Sequence, residues 1–252
     1  MKEVKEEYIV GTSMQVSVGI AMLQGARYEH AEAIISAGNE LGVVIKVLEL
    51  RTSLDIDTAI TDDMLDALIL PGGESTTMRI ASDTHGLLMR IYSLLSKEGD
   101  FPVLGTCAGA ILLSNPEANF KPFVDAKIDR NSYGRQKDSF QAILKINNLL
   151  TPEIKYEDES ANNLIVEKYQ PLPISSHSRD NSKDSDHFLG IFIRAPRYVS
   201  IGDSIPVVYH GNTVVGVKEK NILALTFHPE LTEDRRFHRW LIDCAINRGD
   251  KK

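Results

Sequence analysis

Cys107 stands in the stretch VLGTCAGA, residues 103 to 110, directly after an apolar run and between Gly105 and Gly109. One reading is a small buried hydrophobe, the usual fate of a cysteine. The other is a nucleophile. Gly105-Thr106-Cys107-Ala108-Gly109 has the layout of a strand-to-helix elbow, Gly-x-Ser-x-Gly, with sulfur in place of oxygen. Its glycines allow the flanking elements to crowd a sharp turn. Cys107 then begins the helix that contains Ala110 to Leu113, where terminal amides favour the thiolate.

A nucleophilic cysteine needs a base, and the base needs an orienting group. The segment LALTFHPEL puts His228 at the end of an apolar strand, with Glu230 two residues later. Pro229 restricts His228 to extended backbone, and alternation then directs residues 228 and 230 to one side. The order Cys, His, Glu is no obstacle, because triads are defined by geometry. The competing reading of His228 is a surface histidine in a strand-end turn. That reading is preferred for His85 and His238 in helices, His177 and His187 in a polar segment, and His210 beside a turn. His30, in the helix after LQGARYEH, stays open.

The third element is LILPGGESTTM, in which Gly72 and Gly73 follow a strand end. Unobstructed glycine N–H groups suit an oxyanion, and losing one such donor costs about 100- to 1,000-fold in rate. The N–H of Ala108, just after the cysteine, is the natural second donor. A plain turn, with Ser75 or Thr76 capping the next helix, is the alternative. A phosphate loop is excluded, since no Gly-Lys-Ser/Thr follows.

The elements that must position these groups alternate between short apolar runs and amphipathic stretches. Strands are expected at Val16 to Leu23, Val43 to Leu50, Ala67 to Leu70 and Pro102 to Gly105. Helices are expected at Arg27 to Leu41 and about Thr76 to Lys97. This alternation predicts a parallel sheet built from right-handed crossovers, an α/β fold. Shorter strands, partly antiparallel, follow at Asp125 to Asp129, Ser139 to Ile146 and Leu189 to Ile193. Val207 to His210 and Val214 to Lys218 flank Gly211-Asn212, a hairpin signal, and Ile222 to Phe227 is a buried strand. Arg235 to Asn247 closes the chain as an amphipathic helix with Phe237, Trp240, Leu241 and Cys244 on one face, which makes Cys244 a core residue. All chemical candidates then lie at the carboxyl ends of parallel strands, where open α/β sheets bind ligands.

The chain of 252 residues is 42% hydrophobic and 25% charged, ordinary for a globular protein, and is read as one domain, 1–252. A net charge of -7 excludes general binding to nucleic acid or anionic membranes. No apolar run approaches the roughly 20 residues that span a bilayer, and the amino terminus lacks a signal-peptide core. Two cysteines are too few for a disulfide framework and fit a cytoplasmic protein. They lack metal-ligand spacing with histidines. The polar stretch at about 157–187, ending in SSHSRDNSKDSDHF, has no glycine and distal glutamate of a calcium loop and reads as a surface insertion.

PGGES, GTCAG and FHPEL, in that order, resemble the triad (class I) glutamine amidotransferases. LQGARYEH, RNSYGRQKDSF and FIRAP narrow the resemblance to the glutaminase subunits of pyridoxal phosphate (vitamin B6) synthases. The motifs run from Leu23 to Leu231. The resemblance implies a three-layer, flavodoxin-like fold with a mostly parallel central sheet and a small antiparallel addition. It implies hydrolysis of L-glutamine to glutamate and ammonia, with the ammonia passed to a synthase subunit. It implies Cys107 as nucleophile, His228 as base and acid, and Glu230 as orienting carboxylate. Gly72, Gly73, Glu74, Ala108, Arg130, Ile193 and Arg194 would form the glutamine site, the arginines suiting carboxylate recognition. Neither a metal nor a bound cofactor is implied. Residue 110 departs from the pattern, alanine where a larger apolar side chain is common, and so do the dozen residues before the first strand and the long insertion. Two other readings stand beside this one: an amidotransferase serving another synthase, and a degenerate subunit that binds glutamine or only scaffolds.

Overall fold

The computed structural model describes residues 14–117, 119–130, 139–155 and 186–249. Most of the insertion, with His177, lies outside the described residues, as do the amino-terminal dozen and most of RNSYGRQKDSF, whereas His187 begins a strand. A sheet of nine strands runs in the order β2-β1-β3-β4-β11-β10-β9-β6-β7. Its first five members, β2 (Val44–Leu50), β1 (Gln15–Ala21), β3 (Ala67–Leu70), β4 (Val103–Thr106) and β11 (Ile222–Leu225), pair in parallel. In chain order this is the flavodoxin-like sequence 2-1-3-4-5, with its switch point between β1 and β3. β10 (Thr213–Glu219), β9 (Ile205–His210), β6 (Ser139–Ile146) and β7 (His187–Ile193) extend it antiparallel. β5 (Ala126–Asp129) and β8 (Arg197–Ile201) form a separate antiparallel pair.

The central strands are apolar throughout because both faces are covered. In β3, Ala67 and Ile69 point into one core, with α1 (Arg27–Leu41) and α6 (Arg236–Gly249). Leu68 and Leu70 point into the other, with α4 (Leu87–Lys97) and α5 (Ala108–Ser114). The period of two thus builds the three layers. No helix among the described residues is long and apolar enough to cross a membrane.

Several expectations need correction. The single helix from about Thr76 to Lys97 is two, α3 (Ser75–Asp83) and α4, because Gly86 takes φ +65° and breaks the run. α3 is capped not by Ser75 or Thr76 but by Glu74, whose carboxylate accepts from the N–H groups of Thr76 and Thr77. A further helix, α2 (Ser53–Thr61), is started by a capping box between Thr52 and Asp55. His30 and His238 are both fully buried, so the surface reading of His238 fails.

Candidate active site

The turn after β4 carries Cys107 at φ +48° and ψ -105°. A β-carbon at positive φ costs about 1–3 kcal/mol and persists only where surroundings impose it. Here the Cys107 N–H donates to Leu225 O at 2.8 Å, tying the elbow to β11. Gly109 permits the turn, since a β-carbon there would sit 1.9 Å from Leu70 O. Cys107 is buried at the N-cap of α5. The first amides of a helix have no intrahelical acceptor, so the Ala108 N–H has no partner within α5.

His228 follows β11, and its N–H donates to Ile191 O of β7 at 2.9 Å. Pro229–Leu231 form a 3-10 turn. That turn, rather than the extended backbone expected from Pro229, brings residues 228 and 230 together. His228 Nδ1 and Glu230 Oε1 are 2.7 Å apart, and Glu230 is buried. Burial alone would lower the His228 pKa, but the Glu230 charge and hydrogen-bonding contact with Cys107 raise it to about 10. Burial pushes the Glu230 carboxyl up, and the histidines beside it hold it below its ordinary value.

Gly72 closes the third side. A β-carbon on Gly72 would lie 2.5 Å from His228 Cε1 and 3.3 Å from Cys107 Cβ, so this backbone touches both groups. Gly73 takes φ +147°, and the next amide, Glu74 N–H, donates to Gln24 Oε1 at 2.9 Å. Gln24, from LQGARYEH, was not among the candidates. Gly25 in the same motif is needed for close approach: a β-carbon there would meet Gly72 O at 1.9 Å. The Glu74 carboxylate is committed to the α3 amides, which hold its pKa down at about 2 against the opposing effect of burial.

Arg130 is exposed and reaches the start of α3, with Nη1 3.4 Å from Ser75 Oγ and 3.3 Å from Thr76 Oγ1. Ile193 ends β7 and is exposed; Arg194 beyond it takes φ +44°. The bond from His228 N–H to Ile191 O sets this strand end beside the base. Thus Cys107, His228, Glu230 and Gly72 form one cluster. Glu74 and Arg130 each contact the start of α3, and Ile193 and Arg194 lie at the end of β7. Among the described residues, no group of three or more His, Cys, Asp or Glu side chains could hold a metal ion.

Two further histidines join this cluster: His30, left open by the sequence, and His238, whose helix position suggests the surface. His30 Nε2 lies 3.0 Å from Thr106 Oγ1 and 3.3 Å from Glu230 Oε2, while Nδ1 lies 3.1 Å from His238 Nε2. The signal was available in α1. His30, Ile34, Ala37 and Leu41 form one helical stripe, and all are buried.

A strained cysteine elbow and a His-Glu pair on neighbouring parallel strand ends define a glutamine amidotransferase-like α/β protein. A crystal structure of a glutamine amidotransferase is similar, with TM-score 0.63 and 31% identity, covering 90% of this chain and 98% of that one. The SNO glutamine amidotransferase family model matches residues 20–159 and 174–247, and the chain belongs to that family. It is 37% identical over 239 residues to pyridoxal 5'-phosphate synthase subunit PdxT of Thermococcus gammatolerans, covering 92% of this chain and 100% of that protein. It is 33% identical over 242 residues to the subunit of the same name from Bacillus cereus, covering 94% and 98%.

Proposed function

We propose that this chain hydrolyses L-glutamine and supplies the ammonia to a synthase subunit that builds pyridoxal 5'-phosphate. The observation that carries the proposal is the contact of Cys107 and His228 across Gly72, with Glu230 2.7 Å behind the imidazole. The PdxT relatives are subunits of pyridoxal 5'-phosphate synthase, which supports a heteromeric complex for this chain, and the proposed compartment is the cytoplasm. The whole chain, 1–252, acts as one amidotransferase domain.

In this mechanism the Cys107 sulfur attacks the side-chain amide carbon of glutamine, forming a C–S bond as the carbonyl electrons move to oxygen. The Ala108 N–H and the Gly72-Gly73 loop receive the oxyanion. A raised pKa makes His228 an imidazolium at neutral pH, holding the proton that the thiol gives up. His228 delivers it to the departing nitrogen as the C–N bond breaks, releasing ammonia and leaving a thioester. Neutral His228 then takes a proton from water, whose oxygen attacks the thioester. The tetrahedral species then collapses, breaking the C–S bond and returning its electron pair to the Cys107 sulfur. His228 keeps the proton taken from water, and glutamate departs as its carboxyl proton passes to solvent. Arg130 and Arg194 serve the α-carboxylate end of glutamine, with Glu74 and Ile193 bordering it.

The test is glutamate release from glutamine, with and without the synthase subunit, for wild type and Cys107→Ala. Partner-stimulated release should fall by about 10⁵-fold or more in the variant, the scale seen when a nucleophile is deleted. Wild-type silence in the presence of the synthase would overturn the glutaminase reading.

A further inference from the structure

Glu230 uses one carboxylate oxygen on His228. The other, Oε2, is buried, makes no well-aligned hydrogen bond among the described residues, and has His30 Nε2 3.3 Å away. The same nitrogen lies 3.0 Å from the hydroxyl of Thr106, the residue just before the nucleophile. His30 comes from α1, so it touches the cysteine elbow and the His228–Glu230 turn at once without reaching the substrate side. Behind it, His238 of α6 places Nε2 3.1 Å from His30 Nδ1, with the rings 5.3 Å apart. No step of the mechanism above uses either histidine.

We propose that His30 is a positioning residue of the glutaminase reaction, spacing Thr106 from Glu230 with its Nε2–H directed between Thr106 Oγ1 and Glu230 Oε2, and with His238 fixing that tautomer. The proposal rests on the glutaminase reading. Its chemistry follows from the neighbours. A carboxylate oxygen and a hydroxyl both face His30 Nε2, and a lone pair there would oppose the carboxylate. Nε2 therefore carries the hydrogen, Nδ1 accepts, and His238 Nε2 must donate. His238 Nδ1 is then a bare acceptor, in keeping with its having no hydrogen-bond partner among the described residues. Both rings must be neutral for this chain of donors to hold. Burial lowers both pKa values, and Arg235 nearby opposes a second cation; for His30 the charge of Glu230 pulls the other way and does not prevail. A neutral His30 helps Glu230 as an N–H donor, leaving the countercharge to His228.

The test measures steady-state glutamate release in the complex with the synthase subunit for wild type, Cys107→Ala, His30→Leu and His30→Gln. Melting temperature and synthase binding report folding. Leucine keeps the volume without a donor, whereas the glutamine amide nitrogen can take the place of Nε2. His30→Leu should lower kcat by about 10- to 100-fold with KM within about threefold, as when a hydrogen bond to a buried charge is lost from the transition state. His30→Gln should recover most of that loss. A folded His30→Leu with kcat within about twofold of wild type, or a His30→Gln equally impaired, would overturn the proposal. The ¹⁵N shifts of His30 in the wild-type full chain give an answer independent of activity. A neutral Nε2–H tautomer between about pH 6 and 9 is expected, and an Nδ1–H tautomer or a titration in that window overturns it. Loss of release in wild type alone would instead strike the glutaminase reading.

Discussion

Cys107 and Cys244 are the same side chain in two settings. Cys107 sits on a backbone turned to φ +48°, its amide fixed by Leu225 and its thiol beside His228. Cys244 lies within regular α6, half-buried and packed against the core that α6 shares with α1. Burial and the neighbouring Asp243 charge push its thiol up to about 12. Composition cannot separate the two, and neither can burial, since Cys107 is the more buried. The difference lies in a strained turn that aims one sulfur at an imidazolium, while helix geometry leaves the other in an apolar packing role.

The sharpest way to break the contrast after removing Cys107 itself is to remove what charges its partner. Glu230→Gln keeps the shape but deletes the carboxylate 2.7 Å from His228 Nδ1. Glutamate release should fall by about 10³- to 10⁴-fold, the scale seen when a triad carboxylate becomes an amide. The variant should also flatten a pH dependence of stability. The His228 pKa is raised from 6.5 to about 10 in the folded state. Its stabilising contribution is therefore complete below pH 6.5 and lost as pH rises through about 10. Urea unfolding between those limits should show wild type weakening with pH, and Glu230→Gln showing less slope. Equal slopes would mean that Glu230 does not sustain the His228 charge.

Gly72→Ala tests the contact rather than the charge. The added β-carbon would fall 2.5 Å from His228 Cε1, so the imidazole or the loop must move. A displacement of about 1 Å at reacting groups costs on the order of 100-fold, and kcat should drop by that amount. Thermal stability, measured in parallel, should change little, because the strain is local. An unchanged kcat would show that the loop yields without disturbing the pair.

Much of this arrangement is legible in the chain, and the illegible parts share a cause. The central parallel strands announce themselves because burial on both faces demands apolar runs such as ALIL and ILAL. The elbow is legible because its sharp turn needs small residues on both sides of Cys107. By contrast, the Thr52 and Asp55 capping box was readable but signals only a helix start, and α2 was missed. The break between α3 and α4 depends on the φ of Gly86, which a helical pattern does not reveal. His238 looks like a surface histidine and His30 stays open because each is polar, and their burial depends on meeting each other from positions 208 residues apart. Glu74 illustrates the same limit locally. PGGES does not reveal that the Glu74 carboxylate also caps its own helix.

The smallest expected effect completes the contrast from the Cys244 side. Replacing Cys244 with alanine removes a sulfur from the α6 face and should cost ~1 kcal/mol of stability, the centre of the range for point mutations. Partner-stimulated glutamate release should stay within about twofold of wild type, because Cys244 packs on the core side of α6 away from the His30–His238 contact. Alkylation gives the complementary reading. Iodoacetamide at about pH 8 should modify Cys107 well before Cys244, since the thiolate is the reacting species and the Cys244 thiol is pushed up to about 12. Mass spectrometry of the two peptides distinguishes them. Comparable labelling of both cysteines would mean that the elbow confers no special reactivity, and the division between the two sulfurs would collapse.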